Sequence, residues 1–160
     1  MPPITALLHT ANDALRLGRA LETVYPCDEI LVIDHHSTDN TAHIAREYGA
    51  RVMAAEEGAT TAHYLHLASY NWIFCLEPGE AMTEGLAASL FEWRQLSANE
   101  ASGVLSVFMR EETNSGWNEL SAPQTRLVPR DWNRWSAGWL PAHAPDATLL
   151  AGELLRFNFP

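Results

Sequence analysis

The sequence predicts an α/β fold, with a mostly parallel sheet flanked by helices and a minimal second half. Three observations carry that prediction. Over the first half, short apolar or β-branched runs alternate with segments of helical periodicity. Proline, glycine and small polar residues punctuate each change. Polar clusters recur at the ends of successive runs, where open parallel sheets bind their ligands.

The elements follow in order. Ile4 to His9 is an apolar run after a proline pair and reads as strand one. Leu17, Ala20, Leu21 and Val24 lie at helical spacing, and Pro26 stops that helix. Glu29 to Asp34 reads E-I-L-V-I-D, a buried strand. His35 to Asn40 is a turn, in which Ser37, Thr38 or Asp39 caps the next helix. Ile44, Ala45 and Tyr48 give that helix its apolar stripe, and Gly49 ends it. Arg51 to Ala54 is a short third strand, Thr60 to Ala68 a weak helix, and Trp72 to Leu76 a fourth strand closed by Pro78-Gly79.

The second half is less regular. Leu86, Leu90, Trp93 and Leu96 mark an amphipathic helix. Gly103 to Met109 and Arg126 to Val128 read as strands, Glu111 to Pro123 as a loop, and Leu149 to Phe159 as a last strand interrupted at Gly152. No linker or repeat divides residues 1–160, so one domain is expected.

The totals narrow the function. Hydrophobic residues make up 47% and charged residues 19% of 160, an ordinary globular balance. The net charge is −10, with no lysine and ten arginines scattered along the chain. That distribution argues against a nucleic-acid partner or an anionic membrane surface. No apolar run is long enough for a transmembrane segment, and the first residues lack the basic region of a signal peptide. The expected location is cytoplasmic, with Cys27 and Cys75 as reduced thiols.

Three polar clusters converge at the strand ends: Thr10/Asn12/Asp13, Asp34 to Asp39, and Glu77/Glu80. Their context resembles a known family. The stretch D-E-I-L-V-I-D-H-H-S-T-D-N-T-A-H-I-A-R-E-Y-G-A-R-V, Asp28 to Val52, is similar to the second strand and helix of family 2 glycosyltransferases. T-A-N-D at Thr10 to Asp13 stands where that family carries T-x-N-E, and Trp72 to Leu76 matches the strand before its metal motif. The resemblance implies a GT-A fold and a nucleotide-diphosphate sugar donor of the UDP or GDP type. It implies that Thr10, Asn12 and Asp13 line the ribose and base end, that Asp34 hydrogen-bonds the base, and that the sugar passes to an acceptor hydroxyl with inversion.

The departures matter equally. The family's D-x-D motif holds Mn²⁺ or Mg²⁺ against the diphosphate; here the same place reads Leu76-Glu77-Pro78-Gly79-Glu80, with Gly79 replacing the second aspartate. Glu77 and Glu80 are the candidate metal ligands. Thr61 and Ala62 stand where the family often has R-N or K-N. Its late acidic element falls at His143-Ala144, with Asp146 displaced nearby, so His143 and Asp146 are the candidate catalytic positions. A non-catalytic nucleotide-binding or interaction module of the same fold is the alternative. Asp34-His35-His36 also matches the D-H-H element of Mn²⁺-dependent phosphoesterases, although only His9 precedes it as a further histidine.

Overall fold

The computed structural model describes residues 1–96, 103–136 and 139–159. Strands β1 (Ile4–Thr10), β2 (Glu29–Asp34), β3 (Arg51–Ala54) and β4 (Trp72–Cys75) alternate with helices α1 (Leu17–Glu22), α2 (Thr41–Glu47) and α3 (Thr61–Leu65). All three pairings among these strands are parallel, in the order β3-β2-β1-β4. Helix α4 (Glu84–Arg94) sits between β5 (Glu80–Met82) and β6 (Leu105–Thr113), and β7 (Gly116–Glu119), β8 (Gln124–Pro129) and β9 (Thr148–Arg156) complete the sheet.

The second half extends the sheet as β4-β8-β6-β9-β5. Strand β8 runs antiparallel to both β4 and β6, β9 runs parallel to β6, and β5 runs antiparallel to β9. Following these directions, six of the nine strands among the described residues point one way, with β5, β7 and β8 opposed. The sheet is therefore mostly parallel by direction.

Period-2 alternation divides the core. Ile4, Ala6 and Leu8 of β1 join Val32, Phe74 and Leu127 against α1 and α4 on one face. Leu7, Leu31, Ile33, Ile73 and Val128 meet Tyr64 and Leu65 of α3 on the other. Strands covered on both faces must be apolar at nearly every position, which is why β1 reads as a continuous apolar run. No helix of the described residues is long and apolar enough to cross a membrane.

Three parts of the second half differ from the sequence reading. The loop expected from Glu111 to Pro123 contains a hairpin, because β6 continues to Thr113 and pairs with β7. All four residues of β7 are exposed, so no alternation marks it as a strand. Strand β5 is only three residues long, and its partner β9 lies more than 70 positions downstream. The interruption expected at Gly152 is absent, since β9 runs unbroken from Thr148 to Arg156 with a register shift against β6; the glycine is required by contact, because its φ is +89° and an added Cβ would lie 2.2 Å from the backbone nitrogen of Leu86. Helix α4 therefore rests directly on the β9 backbone. Thr83 caps that helix by accepting from the Leu86 N–H at 3.2 Å.

Candidate functional site

Thr10 and Asp34, the last residues of β1 and β2, are register partners. The loops that follow them are stitched together. Asn12 donates its backbone N–H to Ser37 Oγ at 2.9 Å, and its Oδ1 accepts from the Thr38 N–H at 2.8 Å. Asn12 takes a left-handed conformation (φ 54°) to do so, which asparagine tolerates better than most residues. Asp13 is buried and works as a hub. Its Oδ2 accepts from Thr10 Oγ1 (2.6 Å) and the Ala11 N–H (3.0 Å), its Oδ1 accepts from Arg16 Nε (2.8 Å), and its own N–H donates to Thr41 Oγ1 (2.8 Å). Asp39 accepts from the backbone and hydroxyl of Thr41 at the start of α2, and these bonds hold its carboxyl below the usual range. Asp34 receives Ser37 Oγ and N–H on Oδ1. Among the described residues nothing donates to its Oδ2.

An aromatic wall stands beside Asp34. His9 Nδ1 and His35 Nε2 share a hydrogen bond of 2.9 Å. Trp139 stacks on the His9 ring at 4.2 Å and lies 5.0 Å from that of His35. Burial, with the neighbouring His35 adding to it, pushes His9 down to about 3, so its ring is neutral near pH 7, and burial also lowers His35 from its ordinary value. His36 points elsewhere, exposed and with φ 57°. The D-H-H triplet therefore does not gather as a metal-ligand set.

A cleft of about 350 Å³ opens at the ends of β1 and β4, lined by His9, Asp13, Arg16, Glu77, Gly79 and Trp139, with Glu80, Arg156 and Asn158 also on its wall. Thr10, Asn12, Asp13 and Asp34 come together where β1 and β2 end, and of the four Asp13 lines the cleft itself. His143 and Asp146 do not reach it: both are exposed, and His143 borders a separate groove with Ala122, Gln124 and Pro141. Thr61 is buried in α3 and Ala62 is exposed beside it.

The expectation that Glu77 and Glu80 share a divalent cation is not met by the geometry. Glu80 is buried, and both its oxygens are held by Arg126, at 2.6 and 2.7 Å, in a bidentate pair. Arg126 is itself fully buried and also donates to the Cys75 carbonyl and to Gln124 Oε1. Burial works to lower its pKa, and the adjoining Glu80 carboxylate more than offsets this, so the pKa of the guanidinium is raised. The Glu77 backbone N–H also donates to Glu80 Oε1 (2.9 Å), leaving the Glu77 side chain exposed on the rim. Among the described residues no three His, Cys, Asp or Glu side chains converge as a ligand group. The donor set does not fit a resident Mn²⁺ or Mg²⁺.

Two residues that sequence reasoning missed face the same cleft. Arg16, at the start of α1, places Nη1 2.9 Å from where a Gly79 Cβ would stand. Arg156 pairs in register with Glu80. Arg19 joins them by lying over the Phe157 ring at 3.6 Å. The arginines that look scattered in sequence thus gather here. The one local signal was the spacing of Arg16 three residues after Asp13, which suits an ion pair.

No protein-family model matches the chain. It is 41% identical over 54 residues to an uncharacterized glycosyltransferase of Rickettsia prowazekii, a stretch that is 33% of this chain and 18% of that protein. An uncharacterized glycosyltransferase of Rickettsia felis matches at 43% over 54 residues, 33% of this chain and 19% of that protein. Among solved structures, S. aureus TarS 1-349 superposes with a TM-score of 0.55 at 16% identity, covering 71% of this chain and 37% of that one; it is also known in complex with UDP-GlcNAc. Glucosyl-3-phosphoglycerate synthase from Mycobacterium tuberculosis, solved with Mn²⁺, UDP and glucosyl-3-phosphoglycerate, gives 0.54 at 17% identity, covering 68% and 44%. The chain thus spans under a fifth of the curated relatives' length and less than half of these solved chains. Fold and sequence agree on one point: this chain has the GT-A fold of glycosyltransferases and resembles them in sequence over about a third of its length.

Proposed function

We propose that the chain binds a nucleoside diphosphate sugar of the UDP or GDP type in this cleft and transfers the sugar to an acceptor hydroxyl with inversion. The observation that carries the reading is the free Oδ2 of Asp34, presented at the end of β2 beside Thr10, with its other oxygen fixed by Ser37. A fixed carboxylate oxygen is suited to accept from a base N–H. Asn12 and Thr10 sit at the ribose side, and the stacked His9 and Trp139 rings, with His35 tilted against them, offer an aromatic wall. The complexes of TarS with UDP-GlcNAc and of the mycobacterial synthase with UDP support the same ligand class.

In the transfer, the anomeric carbon–phosphate oxygen bond breaks as the acceptor oxygen attacks from the opposite side. The hydroxyl proton passes to a base, and the nucleoside diphosphate leaves. Glu77 is the cleft carboxylate left for that proton, since Asp13 and Glu80 are engaged in structural pairs. The engagement of those two, and the placement of His143 and Asp146 off the cleft, favour a second reading in which the module binds nucleotide without catalysis.

Calorimetric titration with UDP and GDP tests the binding, and coupled detection of UDP or GDP released from their sugars tests the transfer. Asp34→Ala should weaken nucleotide affinity about tenfold or more, the worth of a hydrogen bond to a charged group. Binding without release in Glu77-containing protein, across UDP- and GDP-sugars, selects the non-catalytic module. Absence of affinity for both nucleotides removes both readings.

A further inference from the structure

We propose that the cleft grips the diphosphate through the guanidinium groups of Arg16 and Arg156, in the place where a divalent cation would otherwise sit. The inference rests on the nucleotide-binding reading above and specifies how its anionic part is held.

Gly79 is the pivot. By the family resemblance it stands where the second carboxylate of the metal motif would be, and the space a side chain would need is taken by Arg16 Nη1, 2.9 Å from the absent Cβ. On its other side the Gly79 carbonyl accepts from the Phe157 N–H at 2.8 Å, which brings Arg156 to the cleft. A positive side chain and a glycine have therefore replaced a carboxylate and its ion at one point in space.

The arginines are oriented and still have donors to give. Arg16 spends only Nε on Asp13, at 2.8 Å, and Asp13 is itself fixed by Thr10 and the Ala11 N–H. Among the described residues its Nη1 and Nη2 donate no hydrogen bond, so four N–H groups remain on a guanidinium already aimed by its ion pair. Arg156 approaches Glu80 at 3.5 Å and Glu111 at 3.8 Å, distances that attract without making a good hydrogen bond. Planar forks of this kind match phosphate oxygens two at a time.

Arg126 cancels Glu80 from within the core. Arg16 pairs with Asp13 and Arg156 approaches Glu111, while Asp39 lies beside Arg16 and Arg19. In a chain of net charge −10, this gathering of four of the ten arginines is the place that tolerates a diphosphate, with the donors rather than excess charge supplying the recognition.

The experiment is calorimetric titration of the whole chain with UDP, uridine and inorganic pyrophosphate, each in EDTA and in Mn²⁺. The expected result is UDP binding in EDTA, unchanged within about twofold by Mn²⁺, and at least about tenfold tighter than uridine. Arg16→Gln and Arg156→Gln should each erase most of that advantage while leaving uridine affinity unaltered. Thermal melts verify that the variants are folded. Gly79→Ala, which merely displaces the Arg16 tip, should weaken UDP in the same direction. Binding that requires Mn²⁺ overturns the arginine grip. Uridine binding as tightly as UDP also overturns it and leaves the nucleotide reading standing. Pyrophosphate binding without uridine binding upholds the grip and removes the nucleotide reading. Failure of all three ligands removes both.

Discussion

Replacing Glu80 by alanine would strand the Arg126 guanidinium in the core. That group is fully buried and makes four side-chain hydrogen bonds, two of them to Glu80 at 2.6 and 2.7 Å. The variant leaves it with the Cys75 carbonyl and Gln124, neither of which carries charge. Breaking one side of a buried ion pair costs about 3–5 kcal/mol. A chain of this size loses roughly 2–4 °C per kcal/mol, so the melting temperature should fall by about 6–20 °C. Urea denaturation of the wild type, Glu80→Ala and the Glu80→Leu/Arg126→Leu double variant measures the effect directly. The double variant removes both charges and fills the space with apolar atoms, and should recover most of the loss. A Glu80→Ala variant within about 1 kcal/mol of wild type would refute the structural assignment and return Glu80 to the pool of ligand-binding carboxylates. The same result would follow if Glu80→Ala abolished Mn²⁺ binding by a stable protein.

Other outcomes follow from the same geometry. Gly152→Ala places a Cβ 2.2 Å from the Leu86 nitrogen at φ +89° and should destabilise by more than about 2 kcal/mol; a circular dichroism melt unchanged from wild type contradicts the close approach of α4 to β9. Gly79→Asp puts a carboxylate beside Glu77 and pushes Arg16 aside, so it should create Mn²⁺ affinity readable by electron paramagnetic resonance, and a variant as inert as wild type counts against the replacement argument. His9 has a folded pKa of about 3 against an ordinary value of 6.5. Its contribution to stability is therefore full above about pH 6.5 and drains as pH falls toward 3, at about 1.4 kcal/mol per pH unit for one proton. His9→Phe should flatten urea-derived stability between pH 6.5 and 5, and parallel curves for the two proteins would show that His9 does not stay neutral on folding.

The rim formed by β1 and β2 is held independently of the turn after β4. The loops after β1 and β2 are joined by their own hydrogen bonds, through Asn12, Asp13 and Thr41, and none of these depends on the Glu77–Glu80 turn. Under the proposed function, the base end keeps its frame while the diphosphate end differs in how charge is neutralised.

Local pattern was enough to read β1, β2 and β4, because strands buried on both faces and helices closed by Pro26 or Gly49 leave their period in consecutive residues; the partly exposed edge strand β3 was read from its place after the Gly49 stop. It also located Thr10, Asn12, Asp13 and Asp34 at one rim, since parallel strands joined by short helices must bring their C-terminal ends together. It could not read β5 or β7, whose few residues carry no alternation, nor the insertion of β8 between β4 and β6. Glu80 shows the limit most clearly. Three residues after Glu77 it looks like a rim carboxylate, and only its partner 46 positions downstream makes it part of the core. Arg16 and Arg156 lie at opposite ends of the chain and meet because β9 pairs with β5 and returns its last residues to Gly79. The sequence by itself determined the four-stranded parallel half of the sheet; which charges line the cleft was decided by long-range strand pairing, which places residues together without leaving a mark in the residues around them.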